Sequence, residues 1–392
     1  MISICHVQVL PLLSGVQRSM LDMLDRLDRN RYEPHVACRG PGPLTAELAR
    51  RGIACHYIPA LDRPIHPLRD ALAYRQLRQL FFRHRFSLVH THSSKPGVLA
   101  RIAARRAGVP RVIHHVHGFA FHDFSPWYQH WIYGRLERLA GAYCDRVVFV
   151  NHALRELAVR RGLLPPEKCT TIHIGVDLEK YCPAQRWRQR TEARAAFGLP
   201  LDEVVILVSG RLERQKQPLI LPDVVARLDT LLPSTAWRLL VVGNGTLEDA
   251  LATRIERLGL TRRVRIAGWQ DDPALAYAAA DVVLLPSLWE GLSATLLQAQ
   301  ASGLPVVASD IAANREVVTP ETGRLCLPCD AGAYAGALRE LIDDPGRAAA
   351  LGAAGRRRTE AHFDDAVSLR RVAELYDQLL DVAPAATVRR AA

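Results

Sequence analysis

The chain has 392 residues, 49% of them hydrophobic and 23% charged, a balance that fits a globular protein of about two domains and excludes a disordered or fibrous one. Its apolar runs all stop short of the ~20 residues that a membrane-spanning helix needs, and eight cysteines are too few for a disulfide framework at this length. The net charge of +11 is one-sided: residues 1–180 carry 26 Lys and Arg against 14 Asp and Glu, and residues 181–392 carry 25 against 26.

That asymmetry points to a negatively charged partner for the first half, either anionic lipid or a phosphorylated acceptor; an Arg-rich composition is the competing explanation. Nucleic acid is not expected, because the basic residues are not interleaved with aromatic stacking platforms. The chain starts directly with a strand-like stretch, without a basic leader or small-residue cleavage site, and a cytoplasmic protein is expected.

Short β-branched runs alternate with helical patterns along the whole chain, the signature of parallel sheets with crossover helices. In the first half, residues 2–10, 33–38, 54–58, 88–91, 111–115 and 146–150 read as strands, and 17–27, 44–51, 68–82 and 98–107 as helices. A second series of strands covers 204–209, 238–242, 264–267, 282–286, 305–309 and 323–327, with helices at 219–232, 247–258, 275–280 and 294–302. Between the series, 183–200 is polar and Arg-rich without strand character and reads as a linker. The expected domains are 1–185 and 200–365, followed by a helix at 366–382 that returns to the first domain; 383–392 read as a frayed tail. The expected fold class is therefore α/β, two Rossmann-like doubly wound domains whose strand ends bind ligands.

In the second series one strand ends in Ser209-Gly210-Arg211, with Lys216 five residues on. A glycine there lets the backbone approach a ligand, and an Arg fork with a Lys point charge can clamp a diphosphate; a solvated pair of cations has the same spacing. Gly243-Asn244-Gly245 ends the next strand like the start of a phosphate-binding turn, without the third glycine of the dinucleotide fingerprint. After Gly268, Trp269 either flanks a nucleobase-binding turn or packs beneath it. The densest pattern is Glu290-Gly291-Leu292-Ser293, a carboxylate on a glycine turn before a helix whose free N–H groups suit phosphate or sugar oxygens. Glu290 can accept hydrogen bonds from sugar hydroxyls, and Gln298 is expected on nearly the same face. Cys326 and Cys329 have metal-like spacing, but no second ligand pair completes a four-ligand site.

In the first half, Ser14-Gly15 opens a helix after the first strand. Ser93, Ser94 and Lys95 form a polar cluster at another strand end, suited either to an anionic acceptor or to helix capping. His114, His115, His117 and His122 are close together in sequence, but no Asp-x-Asp pair accompanies them, and neither metal nor cofactor is expected.

Taken together, Gly210-Arg211-Leu212 with Lys216, Gly243-Asn244-Gly245, Glu290-Gly291-Leu292 and Gly303-Leu304-Pro305-Val306-Val307 resemble the retaining family 4 glycosyltransferases of GT-B fold, over nearly all of residues 1–380. The resemblance implies two domains facing a central cleft. It implies that Arg211 and Lys216 neutralise the diphosphate of a nucleotide sugar and that Glu290 holds the sugar. The family's second glutamate, which receives the ribose hydroxyls, is Gln298 here, and Glu316 matches a position after the donor site. Gly15 matches the glycine loop that reaches the donor phosphate, and His117 the histidine beside the reaction centre, with His122 a weaker match.

The implied activity is metal-independent, retaining transfer from a nucleotide diphosphate sugar, UDP-linked by family frequency. The implied acceptor is a lipid-linked glycan, of the polyprenyl-diphosphate kind used in surface glycans, or another polysaccharide. The work would then be done at the inner face of the plasma membrane; the Arg-rich helix at 68–86 is patterned either to lie on anionic lipid or to serve as an ordinary surface helix. Two alternatives stay open: a GT-B epimerase or hydrolase acting on the donor alone, and a weak sugar-nucleotide-binding protein that lost its second glutamate.

Overall fold

A computed structural model describes residues 1–62 and 64–382, so the tail at 383–392 lies outside the described residues. The described chain divides into two compact units, Met1–Ile174 together with Val367–Val382, and Gly175–Ala366.

The first unit is built on a parallel sheet of β1 (Ile2–Val7), β2 (Tyr32–Cys38), β3 (Ala54–Tyr57), β4 (Leu88–His92), β5 (Arg111–Val116), β6 (Arg146–Phe149) and β7 (Cys169–Thr171), in the order β3-β2-β1-β4-β5-β6-β7. The chain winds outward from β1 in one direction and from β4 in the other, so the winding reverses between these two strands. Helices cover both faces of the sheet. One core gathers Val7, Leu77, Phe81, Val89, Val112 and Phe149, and the opposite core gathers Ile4, Met20, Leu24, Leu88, Ile113 and Val148. β1 ends at Val7 rather than at 10, although the Gln8 N–H and the Val9 carbonyl still bond Ala37 and Arg39 of the neighbouring segment. β7 has three residues, too few for a periodicity to announce it.

The second unit has β8 (Val204–Ser209), β9 (Trp237–Val242), β10 (Val264–Ile266), β11 (Val282–Leu285), β12 (Val306–Ser309) and β13 (Gly323–Cys326), all parallel in the order β10-β9-β8-β11-β12-β13. Its winding reverses between β8 and β11. Its core is packed from Ile206, Leu228, Trp237, Leu239, Val241, Leu284 and Leu338.

The stretch expected as a linker is a helix, Pro183–Phe197, with proline at its first turn and Gly198 in the left-handed region at its end. It belongs to the second unit, so the joint lies at 174–175 rather than at 180–200. Its apolar stripe is thin because arginines do the anchoring. Arg194 is fully buried, bonds Asp281 Oδ2 at 2.6 Å and donates to the carbonyls of Pro200, Leu201 and Glu203. The last helix, Asp365–Leu379, places Leu369, Val372, Leu375 and Tyr376 in the core of the first unit.

Candidate functional site

In an open α/β sheet, ligands bind beyond the carboxyl ends of the strands where the winding reverses. In the second unit that place lies beyond β8 and β11, and the motif residues gather there. β8 ends at Ser209, and Gly210, with φ +149°, carries the chain into the loop that holds Arg211 and Lys216. β11 ends at Leu285 and leads to Glu290. Lys216 Nζ lies 2.6 Å from Glu290 Oε1, with side chains 16% and 7% exposed. Gln215 binds the two loops together: its Nε2 donates to the Trp289 carbonyl at 2.9 Å, and its Oε1 accepts from exposed Arg211 at 3.2 Å. Its backbone carbonyl accepts from Leu288 N–H at 2.8 Å. A carboxylate and two cations are therefore held in one network at the reversal point.

The glycine turn after β9 shows why small residues occupy it. Gly243 has φ +135°, and a Cβ there would stand 1.9 Å from the Gly210 carbonyl oxygen, so only glycine lets the two loops meet. The Asn244 carbonyl accepts from Leu212 N–H at 2.8 Å, and the Gly268 carbonyl from Gly243 N–H at 2.8 Å. The helix that follows starts at Glu248, one residue after the expected 247, so Gly243–Thr246 forms the loop between β9 and that helix. Trp269 is 47% exposed and bonds Asp271 Oδ1 through Nε1 at 3.1 Å, which removes the packed alternative. Gly291 follows Glu290, Leu292 is buried, and buried Ser293 caps the helix Ala294–Ala301, its Oγ accepting from Leu296 N–H at 3.4 Å. Gln298 lies on that helix and its Oε1 already accepts from the Tyr277 hydroxyl at 2.9 Å. Glu316 sits in the short helix Ala312–Val317, its carbonyl bonded by Arg358 at 2.8 Å.

The first unit's reversal point, beyond β1 and β4, carries a different chemistry. His6 on β1, His90 and His92 on β4, and His115 and His117 at the end of β5 point to one face of the sheet. The register sets His6 beside His90 and His92 beside His115, and a strand's two-residue repeat does the rest. The rings are joined into a chain. The Tyr376 hydroxyl pairs with His90 Nδ1 at 2.5 Å and with His6 Nε2 at 3.1 Å. His6 Nδ1 pairs with His92 Nε2 at 3.0 Å, and His92 Nδ1 with His117 Nε2 at 3.1 Å. Burial drives the His6 pKa down to about 3 and that of His117 to about 4. Burial, reinforced by neighbouring charge, holds His90, His92 and His115 well below the usual imidazole range. The stack is neutral, and each link is made by one ring's N–H and its neighbour's lone pair.

Two sets of these rings, His6 with His90 and His92, and His92 with His115 and His117, bring one nitrogen each within 4.8 Å of the others. Most of these rings stack at small angles, however, from 10° for His115 and His117 to 29° for His92 and His117, with His6 and His90 tilted by 44°. Lone pairs lie in the ring planes, so the geometry is that of a hydrogen-bonded stack, and a shared ion would require the rings to turn. His115 and Gln8 are buried with no hydrogen-bond partner for their side-chain polar atoms.

The other expected residues of the first unit are dispersed. Gly15 begins the helix Gly15–Asp25, where the Gln17 side chain accepts from the Ser14 N–H at 3.3 Å. Ser93, with φ +66°, precedes the helix Ser94–Arg106 without a side-chain capping bond. Gly97 in that helix is enforced by His114, whose Cε1 would lie 2.5 Å from an added Cβ. Lys95 turns away to Asp70 Oδ1 at 2.5 Å and to the Pro64 carbonyl. His122 accepts from Phe124 N–H at 3.2 Å in the loop beyond β5, apart from the stack. Sequence reading missed Gln215, Tyr277, His6 and Gln8. The alternating histidines of β4 and β5 were a usable signal, but joining them to His6 requires the strand order.

Comparison with known proteins follows the two-unit division. Residues 189–358 match the family described as glycosyl transferases group 1, and residues 13–180 match glycosyltransferase family 4. An Escherichia coli relative, UDP-Gal:alpha-D-GlcNAc-diphosphoundecaprenol alpha-1,3-galactosyltransferase, is 35% identical over 347 residues, 88% of each chain. The putative glycosyltransferase EpsD of Bacillus subtilis is 29% identical over 90% of each chain. Among solved structures, Anabaena Alr3699/HepE in complex with UDP and glucose superposes with a TM-score of 0.82 at 21% identity, over 96% of this chain and 100% of that one.

Proposed function

Because the chain belongs to the group 1, family 4 glycosyltransferases and has their GT-B fold, we propose that it transfers a hexose from a UDP-sugar, with retention and without a metal ion, to a hydroxyl of a polyprenyl-diphosphate-linked glycan. The observation that carries the reading is the Lys216–Glu290 pair with Arg211 beside it at the β8/β11 reversal. The relative that acts on a diphosphoundecaprenol-linked GlcNAc supports the class of acceptor, and its UDP-Gal the class of donor.

Arg211 and Lys216 hold the leaving diphosphate. Charge develops there as the glycosidic bond breaks, and preorganised cations stabilise it more than they stabilise the ground state. Lys216 exchanges its contact with Glu290 for one with the diphosphate, which releases the carboxylate to accept from sugar hydroxyls. The N–H groups at the start of Ala294–Ala301 add a positive end of dipole. A diphosphate oxygen takes the acceptor proton on the face the sugar leaves. Gln298, already engaged by Tyr277, contacts the ribose through its remaining acceptor capacity. Trp269 and Gly268 border the nucleobase, and Gly15, Gly243 and Asn244 the phosphates; Gly291, Leu292, Ser293 and Glu316 line the donor side. His117, at the partly exposed end of the imidazole stack, is the first unit's contribution to the sugar. Ser93, Ser94, Lys95 and His122 are assigned to the acceptor, Lys95 after leaving Asp70. No helix among the described residues is long and apolar enough to cross a membrane, and we place the protein at the cytoplasmic membrane surface, where a lipid-linked acceptor is presented.

The test is incubation with a panel of labelled nucleotide sugars and undecaprenyl-diphosphate-GlcNAc, with and without EDTA. Label should pass from a UDP-hexose to lipid at undiminished rate in EDTA, with the donor's anomeric configuration in the product by NMR. Equal donor turnover without acceptor would instead identify an epimerase or hydrolase, and loss of activity in EDTA would remove the metal-independent mechanism.

A further inference from the structure

The helix Trp127–Gly141 in the first unit is patterned inside out. Its buried positions are Gly134, Glu137, Ala140 and Gly141, whereas Trp127, Trp131, Tyr128, Leu139 and Ile132 are exposed, Trp127 by 79% and Trp131 by 58%. An ordinary surface helix turns its large apolar residues to the core and its small or polar ones to water. The inner face here is fixed by other means. Gly134 and Gly141 lie against Leu163 and Leu164, and Glu137, fully enclosed, binds buried Arg101 of the neighbouring helix at 2.8 Å. The helix therefore does not need its aromatic residues for its own packing. They form a continuous outer stripe, extended by exposed Phe124 in the preceding loop.

The charges on that stripe narrow the choice of partner. Glu137 is the helix's only carboxylate and is turned inward, so the outer face carries exposed Arg135 and Arg138 with no acid of the same helix beside them. Arg135 lies over the Trp131 ring, 5.0 Å from its centroid. Asp123, in the loop ahead, is the nearest exposed acid in sequence. A second copy of this chain, docked by the same face across a twofold axis, would set Arg135 and Arg138 against themselves without a counter-charge. An anionic bilayer accepts both features: amphipathic indole and phenol rings settle at headgroup level, and arginines pair with lipid phosphates.

The sequence had pointed instead to the helix at 68–86. There, Leu77 and Phe81 are in the core and Leu68, Leu72 and Phe82 are the exposed apolar residues, none of them an interfacial Trp or Tyr.

We propose that the outer face of Trp127–Gly141 is the surface by which this protein docks on anionic lipid. The proposal rests on the reading of a membrane-borne acceptor and identifies the contact that brings the enzyme to it. Trp127 and Trp131 enter the headgroup layer, and its phosphates are bound by Arg135 and by the remaining N–H groups of Arg138, whose Nε donates to the Gly162 carbonyl at 2.9 Å. The surface uses none of the residues assigned to the transfer chemistry, so its loss should leave chemistry on a water-soluble acceptor intact.

The experiment is sedimentation of the full chain with phosphatidylglycerol/phosphatidylcholine vesicles, without donor or acceptor. Wild type should bind anionic vesicles and not pure phosphatidylcholine, and Trp127→Ser with Trp131→Ser should lower the binding about tenfold or more. Both side chains are on the surface, and Trp127→Phe with Trp131→Phe should keep most of the affinity, which separates docking from misfolding. Trp187→Ser, a 59% exposed tryptophan of the second unit that also lies under arginines, should change nothing. Unchanged binding in the double Ser variant, or loss only in Leu68→Ser with Leu72→Ser, would overturn the proposal. A wild-type dimer that the double Ser variant converts to monomer would assign the face to a second copy and overturn it too. A rate on short-chain, water-soluble acceptor that stays at wild-type level in the double variant separates this outcome from failure of the transfer reading itself, in which no acceptor of either kind is glycosylated.

Discussion

The two sheets share one topology yet equip their reversal points in opposite ways. Beyond β8 and β11 stand a carboxylate and two cations on loops, with Arg211 open to solvent. Beyond β1 and β4 stand five imidazoles kept neutral by burial, four of them linked through hydrogen bonds and the Tyr376 hydroxyl and the fifth, His115, stacked among them without a partner. The same fold thus builds a charged cluster on loops at one reversal point and an uncharged polar wall at the other, where a full charge would be costly to bury. The difference teaches that topology selects the place and side-chain chemistry selects the ligand, so each region is testable without the other.

The largest expected effect falls on the charged region. Lys216→Ala or Arg211→Ala should lower kcat/KM for transfer by at least ~10²-fold, the scale of one preorganised charge stabiliser. Near-wild-type kinetics in both variants would show that the clamp lies elsewhere. Glu290→Gln should cost less, about tenfold, because the amide keeps hydrogen-bonding capacity while losing its charge.

Stability offers a third comparison. Gly243→Ala forces a Cβ against the Gly210 carbonyl in a backbone region unsuited to L residues, and should destabilise the second unit by roughly 2–3 kcal/mol, read by urea unfolding. A silent substitution there would mean that the two loops do not meet as described.

The imidazole stack predicts an acid sensitivity confined to the first unit. His6 and His117 titrate near 3 and 4 in the fold against an ordinary 6.5, so between those values and 6.5 the unfolded chain binds protons that the folded chain refuses. The stabilisation is complete above pH 6.5 and is lost as the pH falls toward 4. Melting temperature should therefore drop from pH 7 to pH 4.5, and His115→Leu, which removes an unpartnered buried imidazole, should make the drop shallower. An unchanged slope would place His115 outside the titrating group. The smallest effect is expected from Gln298→Glu: a few-fold lower donor KM, since an ionised acceptor strengthens a ribose contact without moving the helix. A many-fold rise in kcat would favour the weak-binder alternative.

Much of the fold was legible because parallel strands buried on both faces leave short β-branched runs between helical repeats. The expected strands recur as β1–β6 and β8–β13 within a few residues. The helix Pro183–Phe197 was not legible, since its attachment runs through Arg190 and Arg194 to Asp281, and a polar stretch held by buried ion pairs has the composition of a linker. The motif residues on the second sheet were identified individually, but their pairing was not, because nothing local states that Lys216 meets Glu290, 74 residues later in the chain.

What the sequence determined by itself was local: alternating periodicity, glycines where two loops must touch, a carboxylate ahead of a helix start, and an excess of positive charge in the first half. Tertiary structure alone decided which of these meet. Strand order carries His6, from the first strand, to the stack on β4 and β5, and the last helix adds Tyr376 to it. It also decided that Trp127 and Trp131 face outward, because Gly134 and Gly141 against Leu163 and Leu164, with Glu137 bound to Arg101, already fill the inner face of their helix. The reason is physical: propensity and spacing act over a turn or a strand, whereas burial, ion pairing and exposure are fixed only when distant segments compete for the same space.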